Sequence, residues 1–126
     1  MTRSRLSLSL RLLGSALLAN GALMLFLPHA WFHEIIPGVP ETGPYNPHLV
    51  QDIGNFYIAI GLGLLVAAGN PRRHSLAIAI GAGALVLHSL LHFYGSLTGM
   101  LPLRYLPSEI VTIHVPAVLL VGLAAL

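Results

Sequence analysis

The 126 residues contain no cysteine, which excludes a disulfide framework, a thiolate metal site and thiol redox chemistry. Lysine is absent too, so all 6 basic residues are arginine. Charge of either sign is scarce. Only 8% of residues are Asp, Glu, Lys or Arg, against about 25% in a soluble domain. So few charges cannot clothe a water-facing surface, and most of this chain's surface must face lipid. No basic run is interleaved with aromatics, which excludes a nucleic-acid partner. There is no nucleophile beside its base, no phosphate loop and no pair of broken helices of the kind transporters use.

What fills the space is apolar. The chain is 56% hydrophobic with a mean hydropathy of +0.82, and the apolar residues fall in blocks. About 20 residues at about 1.5 Å each cross a bilayer core of about 30 Å. By that measure the chain is one all-α domain, 1–126, of four transmembrane helices at about 6–27, 47–68, 71–97 and 107–126, with an outer loop at 28–46. The first segment follows a basic start, as a cleaved signal peptide would. Its apolar run continues past Asn20 and Gly21 to Leu27, too long for a signal core, and it is read as a retained helix.

Local chemistry places the breaks. His29 to Ile36 has helical spacing, with Trp31 and Phe32 suited to the membrane interface, and predicts a short interfacial helix. The stretch Pro37 to Pro47 carries four prolines and two glycines, which predicts irregular chain. Asn46-Pro47 and Asn70-Pro71 each combine a capping residue with a proline suited to the first helical position. Gly99 suits a left-handed helix end. Pro116 should bend the fourth helix and free the carbonyl of Thr112. Gly54, Gly61 and Gly63 thin the second helix where a neighbour can approach. Trp31, Tyr45 and Tyr105 read as interface anchors, and His29, His33 and Glu34 as a solvated helix face.

The arginines predict orientation. Arg3, Arg5, Arg11, Arg72 and Arg73 fall on one side and Arg104 alone on the other. The positive-inside rule then makes both termini cytoplasmic and the long loop external. In that frame His88, His92, His114 and Asp52 share the outer half of the membrane, at roughly 4 to 12 Å from the midplane by helical rise. His88 and His92 are four apart on one face, as are His48 and Asp52, whose stripe Asn55 extends. Polar groups in lipid turn inward. Asp52, His88, His92, His114 and Asn55, with Asn20, are therefore expected to meet in one pocket.

Three readings of that pocket compete. The groups could only fix helix packing, as in an accessory subunit of a larger membrane complex. They could hold a transition metal, with His48, Asp52, His88, His92 and His114 as the candidate ligands, or clamp a haem between two imidazoles. They could exchange protons with a lipid-soluble substrate. The glycine-rich helix faces leave room for a homo-oligomer.

The segment TGPYNPHLVQDIGNFYIAIGLGLL, after Trp31 and IPGVP, resembles a group of small bacterial four-helix membrane proteins similar in layout to the broad DoxX-like grouping. Asn46-Pro47-His48 and Asp52-Ile53-Gly54 are its most specific parts. The resemblance implies a four-helix protein of the bacterial inner membrane. It brings no reaction and no catalytic residue with it.

Overall fold

A computed structural model describes residues 3–125. Met1, Thr2 and Leu126, the predicted end of the fourth helix, lie outside them. Five helices follow in order. The first, α1, is Arg3–Phe26. The second, α2, is short: Pro28–Ala30 runs into a wider π-type turn, Trp31–Ile35. Then come α3, Pro47–Gly69, and α4, Ser75–Thr98. The last, α5, covers 106–124 as Leu106–Glu109, a π-type turn Ile110–His114, and Val115–Ala124 without a break. Among the described residues there is no strand. All four long segments are long and apolar enough to cross a membrane, as an all-α multi-pass bundle requires.

The first two spans are held by glycine. Gly14 of α1 meets Gly61 of α3, and Gly21 meets Gly54. A β-carbon on Gly61 would stand 2.7 Å from the Gly14 carbonyl oxygen, and one on Gly21 would stand 2.5 Å from the Gly54 oxygen. The two pairs run in opposite directions along the chain, so α1 and α3 are antiparallel. Glycines seven residues apart on each helix keep the seam on one face. Gly63, the third glycine predicted to thin this helix, has nothing within 4 Å and takes no part.

The main apolar core lies between both helix pairs, where Leu10, Leu64 and Leu120 are fully buried and Ile78, Ala82 and Leu85 nearly so. Within lipid this packing acts through van der Waals contact, since the surrounding tails are as apolar as leucine. A smaller cluster of Met24, Phe32 and Val50 closes the opposite end.

The loop after α1 is fastened by polar contacts. The Trp31 indole Nε1 donates to Asn20 Oδ1 at 3.0 Å, and Gln51 Nε2 donates to the Leu25 carbonyl at 3.0 Å. Trp31 therefore ties α2 to α1, and Asn20 is engaged there rather than in a histidine pocket. Within the proline-rich stretch read as irregular, Val39–Glu41 forms one 3-10 turn. Glu41 accepts hydrogen bonds from Arg104 and Tyr105, and the Tyr105 ring lies against Gly38, whose φ of 87° and bare α-carbon make that approach possible.

Asn46 caps α3 as its sequence predicts, with Oδ1 accepting from the Leu49 N–H at 3.2 Å and Pro47 opening the helix. Asn70-Pro71 behaves differently. The Asn70 N–H donates to the Ala67 carbonyl at 3.1 Å, so this asparagine closes α3, and α4 starts a turn later at Ser75. Gly99 ends α4 in the left-handed region at φ 74°. In α5 the expected disturbance at Pro116 takes the form of the π-type turn just upstream. A wider turn accommodates a ring that would otherwise collide with the preceding carbonyl.

Candidate functional site

The polar residues of the bundle gather between α4 and α5. On α4, His88, Ser89, His92 and Ser96 recur at helical spacing on the flank facing α5, above buried Gly81 and Leu85. On α5 the facing groups are Glu109 and His114. Five residues apart, they would point about 140° apart on a regular α-helix. The π-type turn at Ile110–His114 bonds residues five apart, and so brings both to one face.

His92 Nδ1 donates to Glu109 Oε1 at 3.2 Å, and Ser96 Oγ donates to Glu109 Oε2 at 3.4 Å. One turn deeper, Ser89 Oγ and His114 Nδ1 share a hydrogen bond of 2.6 Å. The His92 and Glu109 side chains are 22% and 12% exposed, so this pair is shielded within the protein. His114 Nε2 is buried without any partner among the described residues.

The network continues toward α3. The His88 ring meets His92 edge-on at 4.7 Å between centroids, and Tyr57 meets His88 edge-on at 6.1 Å. Tyr57 and His88 border an open cleft of about 150 Å³ whose walls are Ile53, Phe56, Ile60 and Leu85. Phe56 and Ile53 are exposed at its rim. The cleft is therefore an apolar recess on the outside of the spans with two polar groups at its inner edge.

Three of the histidines predicted to meet, His88, His92 and His114, do share this region, but the predicted carboxylate does not. Asp52 pairs with His48 at 3.5 Å, as their spacing suggests, yet the two side chains are 51% and 84% exposed. The reason is helical phase. Gly54 is pinned against α1, and two residues back along α3 is about 200° around the helix. Asn55, also exposed, likewise stays outside the network. Glu109 takes the place expected of Asp52. Sequence reasoning missed it, although it was a carboxyl within one turn of a predicted membrane helix start.

The donor set bears on the metal and haem readings. Among the described residues no group of three or more His, Asp or Glu side chains converges closely enough to hold a metal ion. The Ser89–His114 and His92–Glu109 bonds keep α4 and α5 in direct contact, which leaves no slot for a porphyrin between imidazoles of these two helices. What the arrangement offers is a line of titratable groups, Tyr57, His88, His92 and Glu109, leading from a lipid-facing cleft toward the end of the bundle where α4 stops. No family model, curated protein or solved structure matches the chain.

Proposed function

We propose that this chain is a multi-pass membrane protein that takes a small lipid-soluble molecule into the α3–α4 cleft and exchanges protons with it through His88, His92 and Glu109. The observation that carries this reading is the Glu109 carboxyl, one turn into the apolar span of α5, 12% exposed and held by His92 and Ser96. Ionisable groups within membrane segments mark substrate or proton pathways. A guest in the cleft would present its polar head to Tyr57 and His88 and its apolar body to the walls. Histidine can both accept and release a proton, and Glu109 supplies the counter-charge to an imidazolium at His92. The ring contacts between His88 and His92 are not hydrogen bonds, so transfer between them requires ring rotation or a bridging water.

By the positive-inside rule the end bearing Arg5, Arg72 and Arg73 lies in the cytoplasm, and the cleft, between residues 53–60 of α3 and 84–88 of α4, lies about midway along the spans. A second reading has one observation in its favour. The same two interhelical bonds would fix the packing of α4 on α5 if the protein were only an accessory subunit.

Isotope-edited infrared spectroscopy and ¹⁵N-histidine NMR of the protein in nanodiscs separate the two. Loading the nanodiscs with a lipid-soluble phenol as the probe should perturb the His88 and His92 ring signals and the Glu109 carboxyl band together, and Glu109→Gln should weaken the response at His92. Ring signals indifferent to the added phenol would favour the scaffold.

A further inference from the structure

The four spans form two pairs, α1 with α3 and α4 with α5, and the pairs share a buried core over only half their length. Leu10, Leu64, Ala67, Ile78, Ala82 and Leu120 of that core all lie between midspan and the turn at 70–74 that joins α3 to α4. Toward the other end each pair packs on itself. Met24, Phe32 and Val50 cluster within the α1–α3 pair and its loop. The Ser89–His114 and His92–Glu109 bonds lie within the α4–α5 pair. The cleft between 53–60 of α3 and 84–88 of α4 begins where the shared core stops.

At the end where α1 stops, the α1–α3 loop reaches across to the α4–α5 connection. The turn Val39–Glu41 presents Glu41, whose carboxylate accepts hydrogen bonds from Arg104 and Tyr105. The Tyr105 ring lies against Gly38, and Arg104 packs over that ring at 4.9 Å. Among the described residues no other hydrogen bond crosses between the pairs at this end. The loop is seated on its own pair by Val39 and Tyr45, which pack against the Met24, Phe32 and Val50 cluster. Tyr57, at the inner edge of the cleft, packs against the same cluster.

We propose that Glu41, Arg104 and Tyr105 form a latch between the two helix pairs, and that the pairs part about the α3–α4 turn at the opposite end to open the cleft. The packed half beside the turn moves little, and the half beyond it has no shared core to break. Domain-like closures of this kind place their hinge in a few loop residues. A tilt of about 10° about the turn, over a helix of about 30 Å, moves the far end by about 5 Å. The latch suits repeated opening, because the Glu41 and Arg104 side chains both remain partly exposed and an ion pair in contact with water is held weakly. As a control on entry the latch rests on the function proposed above for the cleft, whereas the hinge motion holds whatever the guest.

Spin-label distance measurements in nanodiscs test the latch, and the absence of native cysteine makes each introduced label unique. One pair of labels, at Leu49→Cys and Leu97→Cys, reads the latched ends of α3 and α4, and a second, at Val66→Cys and Leu76→Cys, reads the turn end. All four positions are exposed. Glu41→Ala should add a population about 5 Å longer at the 49/97 pair and leave the 66/76 pair unchanged. Tyr105→Phe keeps the ring against Gly38 and removes one hydrogen bond, so it should add a smaller longer population without disturbing the packing. The exchange Glu41→Arg/Arg104→Glu should restore the shorter distance. An unchanged 49/97 distance in both Glu41→Ala and Tyr105→Phe, or equal lengthening at both label pairs, would overturn the inference. The distances are read with no guest present, so a cleft that ignores the phenol probe while the latch opens as expected would refute the proposed function and leave the latch standing.

Discussion

Gly61→Ala tests the seam on which the α1–α3 pair depends. The added methyl would stand 2.7 Å from both the Gly14 carbonyl oxygen and the Leu18 amide nitrogen. Ordinary contact begins near 3.5 Å, so the helices must part by about 0.8 Å. The obstructing atoms are backbone, and no rotamer change relieves them. Overpacking of this kind costs about 1–3 kcal/mol, partly offset by about 0.5–1 kcal/mol of improved helix propensity. The net expectation is a loss of roughly 1–2 kcal/mol. Gly63→Ala is the matched control, one turn of chemistry away in kind but with nothing within 4 Å of the new methyl. It should gain the propensity term alone.

The assay is reversible unfolding in mixed micelles with increasing dodecyl sulfate, followed by the fluorescence of Trp31, the single tryptophan. Gly61→Ala should unfold first and Gly63→Ala at or beyond the wild-type midpoint. The double variant Gly14→Ala/Gly61→Ala should lose less than the sum of the two singles, because the first methyl already parts the helices for the second. Equal midpoints for Gly61→Ala and Gly63→Ala would refute the close approach.

Three further outcomes follow from the same geometry. Asn46→Ala removes the cap on the Leu49 N–H and should lower stability in that assay by about 1 kcal/mol, with Pro47 still fixing the helix start. Glu109→Leu should cost about 1–3 kcal/mol by leaving His92 without its shielded partner, whereas Asp52→Asn, on an exposed side chain, should stay within about 0.5 kcal/mol of wild type. The Glu41 carboxyl is held below its ordinary value of 4.5 by hydrogen bonds from Tyr105 and then Arg104. A carboxyl with a lowered folded-state value contributes stability that is present above 4.5 and is lost as pH falls through that lower value. Hydrogen exchange at residues 38–42 should therefore speed up in that acid window, and Glu41→Gln should abolish the pH dependence.

Much of the fold was legible because it rests on local chemistry. Span lengths follow from apolar blocks, Asn46-Pro47 caps a helix wherever it occurs, and Gly99 stops one because it tolerates φ 74°. The second Asn-Pro pair shows the limit of that reasoning. Asn70-Pro71 has the same local signature, but Asn70 is already engaged by the end of α3, and Pro71 is buried in the turn. Which helix claims a capping residue is decided by the neighbouring chain.

The site was legible in residue type but not in partner choice. His88, His92 and His114 stand near one another because spacing on α4 and depth on α5 are both readable from sequence. The carboxylate was misassigned because choosing between Asp52 and Glu109 turns on two helical phases. The first is the rotation of α3, fixed when Gly54 and Gly61 press against α1 and swing Asp52 outward. The glycines were visible, and aligning Asp52 against them on a helical wheel would have turned it away. The second is the π-type turn that rotates Glu109 onto the face of His114. Its only sequence signal is Pro116, a residue that can be met by a kink, a lost hydrogen bond or a widened turn. Of these, only the widened turn inserts a residue into the helical phase, and it is this insertion that places a carboxylate opposite His92.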